Sequence, residues 1–451
     1  MIYSGKSAVV LGLGHSGEAA ATLLAEEGSR VTVCESADTP ELRARVSALE
    51  ALGVKALFGV EAERDPCRYD VCVLSPGIDP AVPLVRNVLD KDIPVIGELE
   101  LAFNECLCPV MAITGTNGKT TTTELLTAML DRCGIRVMSS GNIGLPFATA
   151  VRHSDALDVM VLEVSSFQLE TIRAFRPTIA AWLNLSPNHL DRYPGVGEYR
   201  AAKLRIFENQ TPEDFAVVNA LADLPPLAAK TITFSARTDA ADFTLRGTEI
   251  FHEGRCVLDQ RDTRMPGLHN AENLMAALAM GVFYGVDVSR LAAAVGDYSP
   301  PAHRCEFVRE LEGARWINDS KATNLDSVEM AIRSQDRPII LIAGGKDKGF
   351  DFDPLLPLIK ERVIHAVLIG EMRERIRASW PGVSTQIARS LSEAVELARA
   401  AASPGDTILF SPGTSSFDMF RNYGDRGNQF KNLIHSLSSP SPHPRNHPNT
   451  H

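Results

Sequence analysis

Residues 112–120, AITGTNGKT, decide how this chain is read. A short apolar run at 110–114 enters a turn holding Gly115 and Gly118, and a helical stretch around 124–130 follows. That succession suits phosphate binding. Backbone N–H groups and a helix N-terminus carry partial positive charge, and only small residues let an anion come close to them. Lys119 adds a full charge for the β- and γ-phosphates, and the Thr120 hydroxyl is placed to reach Mg²⁺. The spacing is GxxGKT, with Ile113 where the general P-loop carries its first glycine. An ordinary strand-to-helix turn with a solvent-facing lysine fits this full strand, loop and helix context poorly.

Outward from that turn the chain repeats one rhythm. Residues 7–12 (SAVVLG), 30–34 (RVTVC) and 70–74 (DVCVL) read as short buried strands, with an alanine-rich helix at 18–27, and the series closes near 93–97. A connecting helix is predicted at 98–106. A second series runs through 110–114, 159–164, 179–185 and 215–219, followed by a β-hairpin region at 243–265 and a helix at 270–280. After Pro300 and Pro301 a third series appears at 315–317, 339–343, 366–369 and 407–410. The fold class expected is therefore α/β, in three successive units at 1–97, 98–301 and 302–437. Residues 438–451, rich in Pro, Ser and Asn, read as a disordered tail.

Composition narrows the function classes. With 45% hydrophobic and 22% charged residues, the 451-residue chain has the makeup of a globular protein. A net charge of −11 argues against nucleic acid or an anionic membrane as partner, since both attract basic surfaces. The eight cysteines show neither a zinc spacing nor a disulfide framework, which fits a reducing cytoplasm, and the N-terminus carries no cleavable signal.

Other motifs add chemistry. Gly12, Gly14 and Gly17 lie between strand and helix, with Glu35 at the next strand end, as in a dinucleotide fingerprint. Glu163, His189 and Lys203 stand in clusters suited to metal-assisted phosphoryl chemistry, Glu163 being a natural oxygen partner for Mg²⁺. A lone loop histidine is more often structural. Further on come Asn270 and Asn273, His303 and Arg304, and Asp319 at a strand end where a nucleotide ribose can be held. Two loops, 344–348 and 411–418, follow predicted strands, where open α/β sheets carry ligand sites.

In this order, TGTNGKT, GNIGLP (141–146), LEVSSFQLE (162–170), HLDRY (189–193), YRAAKLRIF (199–207), GLHNAEN (267–273), HRCEF (303–307), NDSKATN (318–324), GGKDKG (344–349) and SPGTSSFDMFRNYGDRG (411–427) resemble the Mur ligases over residues 5–435. The resemblance implies an N-terminal Rossmann-like domain at 1–97, a central P-loop-type ATPase α/β domain at 98–301 and a C-terminal Rossmann-like domain at 302–437. With them it implies ATP and two Mg²⁺ ions, with a UDP-N-acetylmuramoyl-L-alanine acceptor and glutamate as small-molecule substrates, in a cytoplasmic monomer. It places Gly115, Thr116, Asn117, Gly118, Lys119, Thr120 and Thr121 on the ATP phosphates, and Asn270, Asn273, Arg304 and Asp319 on the rest of the nucleotide. Thr120, Glu163, His189 and Lys203 serve the metal, Lys203 as a carbamate. Ser16, Ser36 and Asn142 serve the UDP substrate, and Lys321, Thr323, Lys348, Ser416 and Tyr423 the incoming amino acid. Lys119, His189, Lys203 and Lys321 are the implied catalytic set. His15, Ala37 and Asn188 depart from the family pattern. Within the family, SPGTSSFDMF and the Rossmann-like start favour the glutamate-adding branch over the alanine-adding or diaminopimelate- or lysine-adding ligases and folylpolyglutamate synthase. An NAD-dependent oxidoreductase accounts for the first glycine turn alone, and a catalytically silent nucleotide-binding protein leaves the metal and amino-acid positions without a use.

Overall fold

A computed structural model describes residues 2–437 apart from 66, 77, 79–81, 188–191, 297, 299–301, 336 and 349, and apart from the side chains of Glu41 and Asp326. His189 and Asn188, the Pro300–Pro301 boundary and the expected tail at 438–451 lie outside the described residues. The chain divides into two compact units, 1–299 and 300–451.

The first unit holds two sheets. Strands β1 (Ser7–Leu11), β2 (Arg30–Glu35), β3 (Lys55–Phe58), β4 (Val71–Leu74) and β5 (Val95–Gly97) form a parallel sheet in the order β3-β2-β1-β4-β5. The second sheet comprises β6 (Val110–Thr114), β7 (Val137–Gly141), β8 (Val159–Glu163), β9 (Ile179–Trp182), β10 (Phe215–Asn219), β11 (Lys230–Ser235), β12 (Phe243–Arg246), β13 (Glu249–His252) and β14 (Arg255–Asp259). Its order is β14-β13-β12-β11-β10-β9-β6-β8-β7, parallel except for the antiparallel meander β12 to β14. In the second unit β15 (Glu306–Leu311), β16 (Ala314–Asn318), β17 (Ile339–Ala343), β18 (Val363–Leu368), β19 (Thr385–Ile387) and β20 (Thr407–Phe410) are ordered β15-β16-β20-β17-β18-β19, with β15 alone antiparallel to its neighbour.

The unbroken apolar runs follow from burial on both sheet faces. Alternate residues of a strand point to opposite sides, and here each side meets a core. In β1, Ala8 and Val10 join one cluster and Val9 and Leu11 another. In β17, Ile339 and Leu341 belong to one cluster and Ile340 and Ile342 to the next. Val10 of β1 and Ala112 of β6 share a single core, so the two sheets of the first unit pack as one body.

Each strand expected from the sequence is present, with edges moved by a few residues: the run expected at 179–185 ends at Trp182. Five strands escaped the sequence reading, namely β3, β7, β11, β15 and β19. Their sequences, such as KTITFS and TQI, are short or half-polar because they lie near sheet edges or face water on one side.

Helix starts divide into two kinds. The helices Leu325–Arg333, Leu391–Ala401 and Tyr423–Ser436 are capped by the side chains of Asn324, Ser390 and Asn422. Those of His15–Glu26 and Lys119–Arg132 begin at Gly14 and Gly118 with no side-chain cap, so their first N–H groups are not taken by a capping side chain.

Candidate active site

The glycine turn 115–118 lies at the carboxyl end of β6, where the strand order of the second sheet reverses between β8 and β9. Gly118 has φ +84°, a left-handed conformation, and a Cβ there would stand 2.3 Å from Asn273 Oδ1. Lys119 Nζ donates to the carbonyls of Gly115 and Thr116, both at 2.9 Å, which folds the ammonium back over the turn. The turn is held from below by Asn184, which accepts from Asn117 N–H at 2.9 Å and donates to Asn117 O at 3.1 Å. Thr116 Oγ1 donates to Ser186 O at 3.2 Å and accepts from Ser186 N–H at 3.0 Å. Asn273 Oδ1 accepts from Thr122 Oγ1 at 3.2 Å, which brings Asn273, and Asn270 3.5 Å from it, beside the helix Lys119–Arg132.

A chain of polar contacts runs from this turn. Thr120 Oγ1 donates to Glu163 Oε2 at 2.7 Å, and Asn142 Nδ2 donates to Glu163 Oε1 at 2.8 Å. Gly141 is required beside them: its φ is +99°, and a Cβ would meet Glu163 O at 2.4 Å. Lys203 is 1% exposed, donates to Gly115 O at 2.9 Å and lies 4.7 Å from the centroid of the Tyr199 ring. Burial, reinforced by the Lys119 ammonium and opposed by the Glu163 carboxylate, holds its amine well below the usual lysine range. Burial of this kind favours the uncharged amine relative to an exposed lysine. Just after the undescribed residues 188–191, Arg192 and Tyr193 both donate to Glu170, at 3.0 and 2.5 Å.

In the first sheet, Ser16 is half-buried in the opening turn of the helix His15–Glu26, and Ser36 lies just past β2. Glu35 accepts from the N–H groups of Leu13 at 2.8 Å and Ala37 at 3.1 Å. The carboxylate that a dinucleotide ribose would require is therefore engaged in closing the glycine turn itself.

The second unit gathers its candidate residues on the loops after the adjacent strands β16, β20 and β17. Lys346 N–H donates to Ser415 O at 2.9 Å and Lys348 Nζ to Thr323 O at 3.3 Å, so the three loops form one rim. Lys321 Nζ stands 5.6 Å from the Tyr423 ring centroid, and Ser416 is buried. Arg426, 2% exposed, fixes the rim from beneath, donating to Ser320 Oγ at 3.0 Å, Ser320 O at 2.7 Å and Thr414 O at 3.3 Å; burial brings its guanidinium down to about 10. Asp319 is buried, accepts from Ser411 Oγ at 2.7 Å and Cys305 N–H at 3.1 Å, and is pushed up to about 6 by desolvation. Beside it Arg304 has a buried Nε with no hydrogen-bond partner among the described residues. His303, with φ +68°, has Nδ1 2.9 Å from the Asn318 amide, and burial lowers its pKa.

Sequence reasoning did not single out Asn184, Ser186, Tyr199, Glu170 or Arg426. All lie inside or beside quoted motifs, and Asn184 follows the carboxyl end of β9, the position in an open α/β sheet where a binding residue is expected.

Three family models match in sequence: the Mur ligase MurD-like N-terminal domain at 6–97, the Mur ligase middle domain at 113–281, and the Mur ligase glutamate ligase domain at 303–413. The chain belongs to the Mur ligase family, with its three domains in their order. Among individual relatives, it is 42% identical to the UDP-N-acetylmuramoylalanine–D-glutamate ligase of Geobacter metallireducens, over 97% of this chain and 99% of that one. The protein of the same name from Geotalea uraniireducens is also 42% identical, over 96% and 98%. Solved structures share the fold: a pseudomurein peptide ligase type C from Methanothermus fervidus has a TM-score of 0.62 at 16% identity, covering 96% of this chain and 100% of that one. The UDP-N-acetylmuramate-alanine ligase from Thermotoga maritima has a TM-score of 0.60 at 18% identity, covering 96% and 99%.

Proposed function

We propose that this enzyme joins D-glutamate to UDP-N-acetylmuramoyl-L-alanine with conversion of ATP to ADP and phosphate, a step of peptidoglycan precursor synthesis. The observation that carries the reading is the continuous contact from the glycine turn through Thr120 and Glu163 to Asn142, a row that suits phosphate at one end and the acceptor at the other. Relatives of that name at 42% identity over nearly the whole chain support the choice of substrates.

In this reading residues 1–97 hold the UDP moiety, with Ser16 and Ser36 at its end and Asn142 nearer the peptide. Residues 98–301 hold ATP: the N–H groups of 115–121 and Lys119 take the phosphates, and Asn270 and Asn273 line the nucleotide. Residues 302–437 supply Arg304 and Asp319 for the nucleotide, and Lys321, Thr323, Lys348, Ser416 and Tyr423 for glutamate, whose two carboxylates require cations and hydrogen-bond donors. The γ-phosphoryl passes to the alanyl carboxylate, giving an acyl phosphate and ADP. The glutamate amine then attacks the acyl carbon, the bond to phosphate breaks, and loss of a proton from nitrogen leaves the amide. No covalent bond to the protein forms, so its side chains orient reactants and spread charge.

For Mg²⁺ the fit is partial on the residues as they stand. Thr120 and Glu163 present hard oxygen donors 2.7 Å apart. Among the described residues no group of three or more His, Cys, Asp or Glu is assembled for a metal. The missing anionic oxygen is supplied if the neutral amine of Lys203 adds CO₂ and releases a proton to become a carbamate; His189 completes the set. Bound there, two Mg²⁺ ions would neutralise charge on the phosphates. We place the enzyme in the cytoplasm as a monomer that binds neither nucleic acid nor membrane; no described helix is long and apolar enough to cross a bilayer.

Phosphate release with ATP, Mg²⁺ and UDP-N-acetylmuramoyl-L-alanine, compared for D-glutamate, L-glutamate and no amino acid, tests the reading. Release dependent on D-glutamate is expected, and release with neither enantiomer refutes it.

A further inference from the structure

Gly97 ends β5 and Glu98 opens the helix Glu98–Glu105, so this segment carries the chain from the first sheet into the second. Two carboxylates on it reach across. Glu98 Oε1 accepts from Ala148 N–H at 2.6 Å, while Glu100 accepts from the N–H groups of Arg173, Ala174 and Phe175 at 2.8, 2.8 and 3.0 Å. Glu98 is 1% exposed, and its Oε2 has no partner among the described residues. A buried carboxyl group is costly unless it is hydrogen-bonded, and Glu98 meets that need at the backbone N–H groups of Phe147 and Ala148.

Ala148 lies in the short helix Phe147–Ala150, directly after the GNIGLP segment 141–146. The other end of that segment is tied to Glu163, whose backbone carbonyl accepts from Asn142 N–H at 2.9 Å and whose side chain accepts from Asn142 Nδ2 at 2.8 Å. Gly141 N–H donates to Leu145 O at 3.1 Å and closes the segment on itself. The loop therefore has two anchors. Glu163 belongs to the row of polar contacts with Thr120, and Glu98 follows directly on β5 of the first sheet.

We infer that Glu98 is a positioning residue for the UDP-linked substrate: its carboxyl group fixes the 141–146 loop, and with it Asn142, relative to the domain proposed to hold UDP. The inference rests on the functional reading above. Glu100 supplies an internal comparison, because it ties the same linker to residues 173–175 and, among the described residues, has no hydrogen bond to the 141–146 loop.

Kinetic constants of the full-length enzyme for all three substrates test it. Losing a hydrogen bond to a buried carboxyl group is expected to raise the KM of Glu98→Ala for UDP-N-acetylmuramoyl-L-alanine about tenfold or more, leaving those for ATP and D-glutamate within about twofold. Glu98→Gln retains an oxygen for Ala148 N–H and should recover most of the loss; Glu100→Gln should leave the UDP-substrate KM unchanged. An equal rise in all three KM values, an equal effect of Glu100→Gln, or no effect of Glu98→Ala overturns the inference. Should Glu98→Ala not fold, Glu98→Asp carries the test, with a smaller rise in the same single KM expected and its absence decisive against. Wild-type enzyme that releases no phosphate with these substrates instead refutes the functional reading.

Discussion

Gly118→Ala probes the phosphate turn at the point where backbone and side-chain constraints meet. A Cβ at φ +84° lies in the left-handed region and would stand 2.3 Å from Asn273 Oδ1. The conformation costs an L-residue roughly 1–2 kcal/mol. Clearing the overlap turns Asn273 away from Thr122, whose bond contributes about 1 kcal/mol. The stiffer unfolded chain offsets roughly 0.4–1 kcal/mol. The balance is a destabilisation of about 1–2.5 kcal/mol, a few degrees of melting temperature. The same displacement tilts the first N–H groups of the helix Lys119–Arg132 away from an anion, so the KM for ATP should rise about tenfold or more. Thermal melts with and without Mg-ATP, together with ATP titrations of phosphate release, measure both effects. In an Asn273→Ala background the overlap is gone, and the stability change from Gly118→Ala should shrink to the backbone strain alone. If the variant melts lower yet keeps its KM for ATP within about twofold, phosphate does not rest on this turn, and the assignment built on residues 115–121 is wrong.

Asn184→Ala removes both bonds to the Asn117 backbone and should raise the KM for ATP several-fold with a destabilisation of about 1–2 kcal/mol; an unchanged KM would show that the turn holds its shape unaided. Lys203→Ala should lose phosphate release, with partial recovery on adding short carboxylic acids, and full activity without such acids would remove the carbamate. For pH, Glu98 is raised from 4.5 to about 7 by burial. A carboxyl group whose folded pKa is raised favours the fold most below 4.5, and its contribution to stability is lost as pH rises from 4.5 towards about 7, by up to about 3 kcal/mol in total. Glu98→Gln should flatten that part of the melting-temperature profile; Glu27, raised to about 7 by burial and by Glu105, titrates in the same window and will leave a residual slope. An identical slope in variant and wild type would mean that Glu98 is not buried as described.

The sequence by itself determined the α/β class, the three successive βα series and the strand–glycine turn–helix unit at 110–132. These are local facts. Apolar runs such as 110–114 and 339–343 can be satisfied only between two covered faces, and AITGTNGKT places glycines, lysine and threonine within one strand–turn–helix unit. The order of the motifs was enough to reach the family, because each motif is a contiguous string. What only the tertiary structure decided is how distant strings meet. YRAAKLRIF and the order of motifs were enough to name Lys203, but its burial beneath Gly115, which lowers its pKa, is decided by the fold. Glu35 reads as a ribose ligand until its oxygens are found on the N–H groups of Leu13 and Ala37. Asn184, Glu98 and Arg426 act on backbone groups 67, 50 and 106 residues away, and hydrogen bonds of that separation leave no periodicity or spacing in the chain to read. Desolvation and long-range hydrogen bonding are properties of the packed state, and the residues that depend on them become legible only once the chain has closed around them.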